Sequence, residues 1–160
     1  ITVYVFAAEC LSMGANHTYI NGICFFVEIG LFDYADAMVN CQSQFGTNST
    51  GKLFEPRDRS TNDQVIQFAK NKVSPNASVM PVGTPLHIGI NDIATEGTWQ
   101  YATGGDLVYT NWGNGQPDNY QNGQDCGTTW PGTTWDDDNC DQKRPSICEM
   151  TSIGMYNNVQ

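Results

Sequence analysis

Residues 116–140 read QPDNYQNGQDCGTTWPGTTWDDDNC, and the fold and function predicted for this chain both depend on this stretch. Counted with Asp141, it contains six acidic residues among amide side chains, and it contains no lysine or arginine. Cys126 and Cys140 can tie it into one compact loop. Crowded carboxylates are costly unless a cation neutralises them, and Ca²⁺ prefers flexible sites made of oxygen ligands. The stretch therefore predicts a calcium site on loops; the alternative is an acidic loop that is only solvated.

The composition limits the classes of function. A chain of 160 residues is expected to form a single domain over residues 1–160, with a core at 10–149 between short tails. Its 17 acidic and 7 basic residues give a net charge of −10, so no basic surface is expected that could replace the counterions of a nucleic acid or bind an anionic membrane. No apolar run approaches the roughly 18 residues of a membrane-spanning helix. We therefore expect neither nucleic-acid partners nor membrane insertion.

The cysteines and glycosylation sequons favour a secreted protein. Six cysteines allow many pairings, and none of their spacings is the Cys-x-x-Cys typical of zinc sites. Asn-x-Ser/Thr sequons occur at Asn16, Asn48 and Asn76, and alongside an even number of cysteines they indicate an oxidising, extracellular compartment. The chain begins ITVYVFAAEC, without an initiator Met or a basic segment, so a signal peptide could already have been removed.

Two helices are predicted in the first half of the chain. Apolar residues at helical spacing indicate a helix over residues 33–45, with Asp33 as its N-cap. A second helix is predicted over residues 61–72, where either Ser60 or Thr61 could provide the cap.

Strands are predicted on both sides of these helices. Weak alternation in residues 1–30 indicates two strands, with Cys10 and Cys24 joined by a local hairpin disulfide. From His87 onward the helical spacing disappears and short strands follow one another, with a hairpin turn at Pro131. These strands are LHIGIND, GTWQYAT, DLVYTNW, CGTTW, TTWDDD and SICEM. Helices early and antiparallel strands late predict an α+β domain.

Several short motifs occur in an order and at spacings that together are highly specific. They are Tyr34, Ala37 and Cys41, His87-Ile88-Gly89-Ile90, Glu96-Gly97-Thr98-Trp99, Trp112, Gln116-Pro117-Asp118, Trp135-Asp136-Asp137 and Ser146-Ile147-Cys148-Glu149. In this order they resemble the long form of the C-type lectin domain, with His87 in place of an aromatic residue. The resemblance implies two helices flanking antiparallel sheets, a long calcium-binding loop region and three disulfides. The implied pairs are Cys10–Cys24, Cys41–Cys148 and Cys126–Cys140.

The resemblance also assigns the ligands of a sugar-binding calcium ion. They are Gln116, Asp118, Gln124, Asp136 and Asp137. Gln124 stands where the family usually has Glu, and Asp136 stands where it usually has Asn, so one carboxylate is lost and one is gained. Because calcium affinity depends on the charge of the ligands, we expect the site to survive.

An auxiliary calcium ion is implied nearby, so that the chain would bind one or two Ca²⁺. Its ligands would be Asp92, Glu96, Asn119 and Asp125, with Gln124 shared. The alternative is that Asp92 and Glu96 only cap turns.

The order Gln-Pro-Asp goes with galactose-type sugars in this family, including N-acetylgalactosamine. A cis Pro117 is expected to direct the side chains of Gln116 and Asp118 toward the ion. Two adjacent sugar hydroxyls would complete the coordination of the calcium ion and would hydrogen-bond to its ligands. The expected sugar contacts are Gln116, Asp118, Gln124 and Asp136, with Tyr120 or, as a second candidate, Trp130 stacking on the sugar ring. The remaining tryptophans, Trp99, Trp112 and Trp135, are predicted to lie in the core.

An enzyme is not expected. Two acids could pair as in a glycosidase, but these acids stand among other acids and amides as metal ligands do, and no nucleophile elbow, zinc-protease motif or phosphate-binding loop occurs. A lectin-like domain that uses the same loops on a protein or on ice is the alternative to sugar binding.

The expected partners are galactose-type glycans on glycoproteins or microbial surfaces. One shallow calcium–sugar contact should have a Kd of about 1 mM, so useful binding requires several sites on one assembly. With all six cysteines used within the chain, we expect a non-covalent homo-oligomer with the tails 1–9 and 150–160 as a contact. The apolar residues of the tails are Val3, Val5, Phe6, Met155 and Tyr156.

Overall fold

The computed structural model describes residues 2–44, 51–73 and 83–151, and the side chains from Phe6 onward within these ranges. Its helices are α1 (Thr2–Ser12), α2 (Tyr34–Ser43) and α3 (Arg59–Val73). Its strands are β1 (His17–Ile20), β2 (Ile23–Phe32), β3 (Lys52–Leu53), β4 (His87–Asn91), β5 (Gln100–Tyr101), β6 (Cys126–Thr129), β7 (Trp135–Asp138) and β8 (Arg144–Met150). The predicted α+β class is confirmed, with three helices where two were expected.

The strands form one sheet in the order β1-β2-β8-β4-β6-β7, with β3 paired to β8 and β5 paired to β4. All of these pairings are antiparallel except β4 with β8, where His87 lies opposite Ser146 in parallel. β6 and β7 form the predicted hairpin, with Thr129 opposite Trp135 and Gly132 in the left-handed region at the turn. This hairpin places residues 136 and 137 at one end of the sheet.

The N-terminal segment forms a helix, so the prediction of two strands within residues 1–30 is wrong for its first part. Phe6 and Cys10 lie four residues apart and therefore share one face of α1, where both are buried. The Phe6 ring meets Tyr19 edge-on, with ring centroids 5.7 Å apart. The disulfide Cys10–Cys24 forms, but it joins α1 to β2 and does not bridge a hairpin. Tertiary packing thus overrides the weak alternation of the sequence.

The first predicted helix is confirmed as α2. The Asp33 side chain accepts a hydrogen bond from the Asp36 backbone N–H at 2.9 Å and so provides the expected N-cap. Tyr34, Ala37 and Cys41 form its buried face.

The second predicted helix, α3, begins at Arg59, and its cap is neither Ser60 nor Thr61. The Asp58 carboxylate accepts hydrogen bonds from the Thr61 backbone N–H at 2.9 Å and from the Thr61 hydroxyl at 2.8 Å. Asp58 therefore satisfies the first turn, and Thr61 is buried as part of the helix.

The predicted strand DLVYTNW is wrong, because this segment forms only isolated bridges at Asp106 and Trp112. Its backbone is held by a side chain instead: the Val108 N–H donates to the Tyr101 hydroxyl at 3.2 Å. The other predicted strands after His87 are confirmed, although their bounds differ from the expected ones by one to three residues.

Disulfides and large apolar side chains hold the domain together. The disulfides are Cys10–Cys24, Cys41–Cys148 and Cys126–Cys140, as the resemblance implied. Trp135 is fully buried, and its indole N–H donates to Oδ1 of Asn62 at 2.7 Å, which ties β7 to α3. Trp99 and Trp112 are partly buried and pack against the same core. The predicted core position of all three tryptophans is confirmed.

His87 fills the position where the family has an aromatic residue, and it is fully buried. Its Nε2 lies 3.2 Å from the Phe32 carbonyl and 3.0 Å from the Gln142 carbonyl, and its ring meets Tyr34 edge-on. Burial lowers the pKa of His87, although the two carbonyls oppose this shift. The His87 ring therefore packs as an aromatic residue would, and its contact with the Gln142 carbonyl also holds the segment that follows β7.

Two buried acids, Glu55 and Glu149, share one partly buried lysine. Lys52 Nζ lies 2.5 Å from Glu55 and 3.2 Å from Glu149, and Arg57 also contacts Glu55 at 2.9 Å. Burial alone would raise the pKa of Glu55, but Lys52 and the hydrogen bonds from Thr103 lower it overall, whereas burial raises that of Glu149. The cluster links β3 to β8 through charge-assisted contacts.

The tails 1–9 and 150–160, which were predicted as a contact between chains, are described only in part. Phe6 is buried within the domain, so it is not available for the contact between chains that was predicted for it. The side chains of Val3 and Val5, and residues Met155 and Tyr156, lie outside the described residues, as do the sequons at Asn48 and Asn76. None of the helices in the described ranges has the length and apolar character needed to cross a bilayer.

Candidate calcium and carbohydrate site

The loop between β5 and β6 carries the predicted sugar site, and it is anchored on the β6–β7 hairpin. The Gly113 N–H donates to the Trp135 carbonyl at 2.8 Å, and the Gln116 N–H donates to the Gly113 carbonyl at 3.0 Å. The Gln116–Pro117 peptide bond is cis, as expected. These contacts bring the Gln-Pro-Asp motif beside the Trp-Asp-Asp motif.

Asp137 is the buried anchor of this loop. Its carboxylate accepts hydrogen bonds from the backbone N–H groups of Asp118 at 3.0 Å and Asn119 at 2.6 Å. The Gln124 side chain also reaches β7, since its Nε2 donates to the Asp137 carbonyl at 2.9 Å. Its Oε1 accepts from the Tyr120 N–H at 2.7 Å. The structure therefore brings Asp118, Gln124 and Asp137 together.

The carboxylates of the Trp-Asp-Asp and Gln-Pro-Asp motifs repel one another. Burial, together with the negative charges of Asp137 and Asp118, raises the pKa of Asp136 to about 6. Asp138 adds a smaller repulsion, but it is itself paired with Arg144, whose Nη2 lies 2.9 Å from its carboxylate. One of the six acids that looked unpaired in the sequence thus has a basic partner a few residues beyond the stretch.

The oxygen atoms of the side chains in this region suit a calcium ion as ligands. Gln116 Oε1 is buried and has no hydrogen-bond partner among the described residues, which is costly unless something else binds it. The side-chain atoms that could bind a metal here are oxygens of carboxylates or amides, which are the ligands that Ca²⁺ prefers. Within residues 2–44, 51–73 and 83–151, no three His, Cys, Asp or Glu side chains converge closely enough to hold a metal. The amide oxygens of Gln116 and Gln124 are therefore needed as well as the carboxylates.

The predicted auxiliary ligands also lie near one another. Burial raises the pKa of Asp92, and the charges of Asp125 and Asp137 add to the shift. Desolvation and the charges of Asp92 and Asp125 raise the pKa of Glu96, while a hydrogen bond from Asn119 opposes the shift. The Asp92 N–H also donates to the Asp125 carbonyl at 3.1 Å.

The two carboxylate oxygens of Asp92 have different surroundings. Its Oδ2 accepts a hydrogen bond from the Gly97 N–H at 2.7 Å, so it does cap the turn. Its Oδ1 is buried and has no hydrogen-bond partner in the described part of the chain. One oxygen of Asp92 thus remains available for a cation.

The two aromatic candidates for sugar stacking differ in their surroundings. Tyr120 is 65% exposed, whereas Trp130 is 39% exposed. The Trp130 indole lies against Gly113, where a Cβ atom would come within 2.6 Å of Trp130 Cδ1. Trp130 therefore packs on the loop that carries Gln116, and Tyr120 is the freer of the two rings.

The structure adds a feature that the sequence analysis missed. Asn119, Gln121 and Asn122 have φ of 43°, 61° and 56°, in the left-handed region where residues other than glycine are uncommon. This tight turn turns Gln121 toward a polar cleft that also includes Asn139 and Gln142. The many amides of residues 116–142 are the signal that could have indicated it.

Comparison with known proteins decides the family. The family model of the Lectin C-type domain matches residues 32–150. The chain belongs to the C-type lectin domain family. C-type lectin domains generally bind Ca²⁺ and carbohydrate and are binding proteins without enzymatic activity.

The match to this C-type lectin domain spans a small part of some relatives and most of others. Collectin-43 of Bos taurus is 32% identical over 122 residues, which cover 73% of this chain and 33% of that protein. Lectin BRA-3 of Megabalanus rosa is 30% identical over 161 residues, which cover 96% of this chain and 90% of that one. The chain thus spans about a third of the length of collectin-43.

The fold of this C-type lectin domain is also found in solved structures. The C-type lectin CEL-I from Cucumaria echinata superimposes with a TM-score of 0.72 at 22% identity, over 86% of this chain and 96% of that one. At this identity the similarity shows the fold alone.

Proposed function

We propose that this C-type lectin domain binds galactose-type sugars, galactose or N-acetylgalactosamine, in a calcium-dependent manner. The observation that carries the proposal is the buried Gln116 Oε1, which lacks a hydrogen-bond partner in the described structure and belongs to the same loop as Asp118. Burial and the repulsion of neighbouring carboxylates raise the pKa of Asp136. A cation at this position would satisfy the amide oxygen of Gln116 and relieve that repulsion.

The calcium ion would be held by five residues: Gln116, Asp118, Gln124, Asp136 and Asp137. When bound, it supplies open coordination positions for two adjacent sugar hydroxyls. The protein residues orient the sugar, because Gln116, Gln124, Asp118 and Asp136 can meet each hydroxyl with a hydrogen-bond donor or acceptor. Asp137 remains the anchor, since both of its carboxylate oxygens already accept backbone hydrogen bonds.

A second calcium ion would bind at the auxiliary position. Its ligands would be Asp92, Glu96, Asn119 and Asp125, with Gln124 shared. The unpartnered Asp92 Oδ1 supports this assignment. Because Asn119 is fixed to Asp137 through its N–H, the two ions would stabilise the same loop.

Galactose is favoured over mannose by the order Gln116-Pro117-Asp118, which goes with galactose-type sugars in this family. Tyr120 supports the same choice, because an exposed aromatic ring beside the site can stack on the apolar face of galactose. Trp130 is the second candidate for this contact, together with its packing role at Gly113.

We further propose that the protein is secreted and acts as a non-covalent homo-oligomer on glycans of glycoproteins or microbial surfaces. Disulfides persist in oxidising compartments, and this chain uses all six of its cysteines in internal pairs. A single site with a Kd of about 1 mM would gain useful strength only when several sites bind together.

Retention on a galactose column with calcium, followed by elution with EDTA, tests the proposed function. Retention and release support it, and calorimetry then counts the calcium ions. Sugar retention that persists in EDTA would rule out the calcium mechanism. Passage straight through with calcium still bound would point to another sugar, a protein or ice, and assays of mannose binding and thermal hysteresis would separate these ligands. No calcium binding at all would mean that Gln124 and Asp136 have broken the site.

A further inference from the structure

The glycosylation sequon Asn16-His17-Thr18 lies at the start of β1, within the described structure. β1 stands at one end of the strand order, and among the described residues it pairs only with β2. The Asn16 carbonyl accepts a hydrogen bond from the Val27 N–H at 3.0 Å, which fixes the backbone of Asn16 against β2. The sequon is therefore part of the folded edge of the sheet.

The two side chains that define this sequon are not engaged elsewhere. Asn16 is partly exposed, and its carboxamide makes no hydrogen bond within the described residues and is not buried. The Thr18 hydroxyl likewise has no hydrogen-bond partner in the described part of the chain. A sequon also requires that its middle residue is not proline, and here that residue is His17. The folded domain can therefore accommodate a glycan on Asn16.

Exposed apolar side chains stand next to the sequon. Leu11 is 58% exposed and Met13 is 49% exposed, at the C-terminal end of α1. The His17 N–H donates to the Gly14 carbonyl at 3.1 Å, so a tight turn joins Met13 to Asn16. These two apolar side chains and the outer side of β1 form one surface, which we call the α1–β1 edge. A strand edge beside exposed apolar residues favours association between chains unless something covers it.

We propose that Asn16 carries an N-linked glycan that covers the α1–β1 edge. The proposal rests on the proposed secretion, because such glycans are added in the secretory pathway. The donor is a lipid-linked oligosaccharide pyrophosphate. The bond between Asn16 Nδ2 and the anomeric carbon forms, the bond from that carbon to the pyrophosphate oxygen breaks, Nδ2 loses one proton, and the lipid pyrophosphate leaves.

The glycan would lie far from the proposed calcium site. β1 and β7 are the two ends of the strand order, and β7 carries Asp136 and Asp137. Five steps between neighbouring strands, of about 4.8 Å each, separate these ends, which corresponds to a distance on the order of 20 Å. Loss of the glycan should therefore leave calcium and sugar binding unchanged.

Peptide mapping of the secreted protein tests the site directly. The 160-residue chain is expressed behind a signal peptide in eukaryotic cells, and the protein from the medium is treated with peptide N-glycosidase. This enzyme converts a glycosylated asparagine to aspartate. Mass spectrometry should find aspartate at position 16 in the treated sample and not in an untreated one. Secreted protein with unmodified Asn16 would overturn the proposal.

Variants at the two sequon positions test the covering role. Thr18→Val keeps a β-branched residue in β1 but removes the hydroxyl, whereas Thr18→Ser keeps the sequon and is the matched control. Thr18→Val should lose the glycan at Asn16, and the protein concentration at which light scattering begins should fall. Thr18→Ser should retain both properties. Asn16→Gln should behave as Thr18→Val does, since the φ of Asn16 is not positive and Gln fits there.

A further variant connects the loss of solubility to the covered surface. Leu11→Gln with Met13→Gln should restore the scattering threshold of Thr18→Val, because it removes the exposed apolar side chains. If Thr18→Val and Thr18→Ser scatter at the same concentration, the glycan does not cover this surface.

The outcomes distinguish this proposal from the proposed function. Secretion with unmodified Asn16 contradicts the glycan and leaves the proposed secretion standing. If the protein fails to reach the medium while a known secreted protein does, the proposed secretion fails and the glycan fails with it. A glycosylated protein that passes straight through a galactose column with calcium supports the glycan and contradicts the proposed sugar binding. Retention that differs between Thr18→Val and Thr18→Ser would overturn the remote position of the glycan.

Discussion

The carboxylate of Asp137 accepts a hydrogen bond from the Asn119 backbone N–H, with only 2.6 Å between Oδ2 and the nitrogen. Because the other carboxylate oxygen accepts from the N–H of Asp118, the preceding residue, one buried side chain on β7 fixes the backbone of the loop that carries the Gln-Pro-Asp motif. Loop position and strand position are therefore coupled through a single residue.

Asp137→Asn should loosen this loop. An amide has only one acceptor oxygen, so its NH₂ group would face a backbone N–H, and the free energy of unfolding should fall by about 1–3 kcal/mol. Calcium affinity should fall as well, because a carboxylate of the site is lost. Urea unfolding and calcium calorimetry measure the two effects. The exposed Asp141→Asn removes the same charge and should leave both quantities nearly unchanged; equal effects of the two substitutions would contradict the anchor role.

The sugar preference should depend on the order of the side chains around Pro117. The double substitution Gln116→Glu with Asp118→Asn is expected to lower galactose affinity by roughly tenfold relative to mannose affinity, which corresponds to about 1.4 kcal/mol. Inhibition assays with both sugars measure the ratio. Gln67→Glu with Asp141→Asn makes the same two chemical changes outside the site and serves as the control. An unchanged ranking would mean that Tyr120, Trp130 or the loop shape sets specificity.

The buried acids Glu55 and Glu149 should destabilise the folded state when Lys52 is removed. Lys52→Met keeps the length of the side chain but leaves both buried carboxylates without their shared partner. We expect a loss of about 3 kcal/mol in the free energy of unfolding, at the low end for buried pairs because Lys52 is partly exposed. Urea unfolding measures it. Lys143→Met removes an exposed lysine and should cost little; equal losses would show that only net charge matters.

His87 should make stability depend on pH. Its folded pKa lies below the unfolded value of 6.5, so the folded state prefers the neutral ring. Its contribution is therefore complete above pH 6.5 and is lost as the pH falls from there toward the lowered folded pKa.

His87→Phe removes this titration. The free energy of unfolding of the unmodified protein, measured relative to that of the variant, should decrease as the pH is lowered from about 7.5 to about 5.5. His17 is present in both proteins, so its titration cancels in the comparison. A difference that stays constant across this range would show that His87 is not held in the neutral form.

The sequence predicted those elements whose signal is local. The spacing of Tyr34, Ala37 and Cys41, with Asp33 before them, identified α2 because cap and buried face lie within one short segment. The hairpin at Pro131 was equally local. The order of motifs also predicted the three disulfides, which are confirmed, whereas the ligand residues that it assigned stay a prediction.

Elements that depend on distant contacts escaped prediction. α1 is a helix because Phe6 and Cys10 pack against residues of β1 and β2, which the alternation of Val3 and Val5 does not reveal. Asp58 caps α3 although Ser60 and Thr61 are also good cap residues, so residue type alone could not choose among them.

The cleft depended on distant contacts as well. It forms only when the fold brings Gln121 near Gln142, and no local pattern marks that proximity.

In the left-handed turn at residues 119–122, the backbone is fixed by hydrogen bonds while several side chains face solvent. Its backbone is fixed by Asp137, Asp118 and Gln124, whereas the side chains of Tyr120, Gln121 and Asn122 are exposed. New specificities could therefore be selected from a small library that randomises these three positions and favours Gly, Asn and Asp where φ is positive. The rest of the chain would serve as an unaltered scaffold for directed evolution.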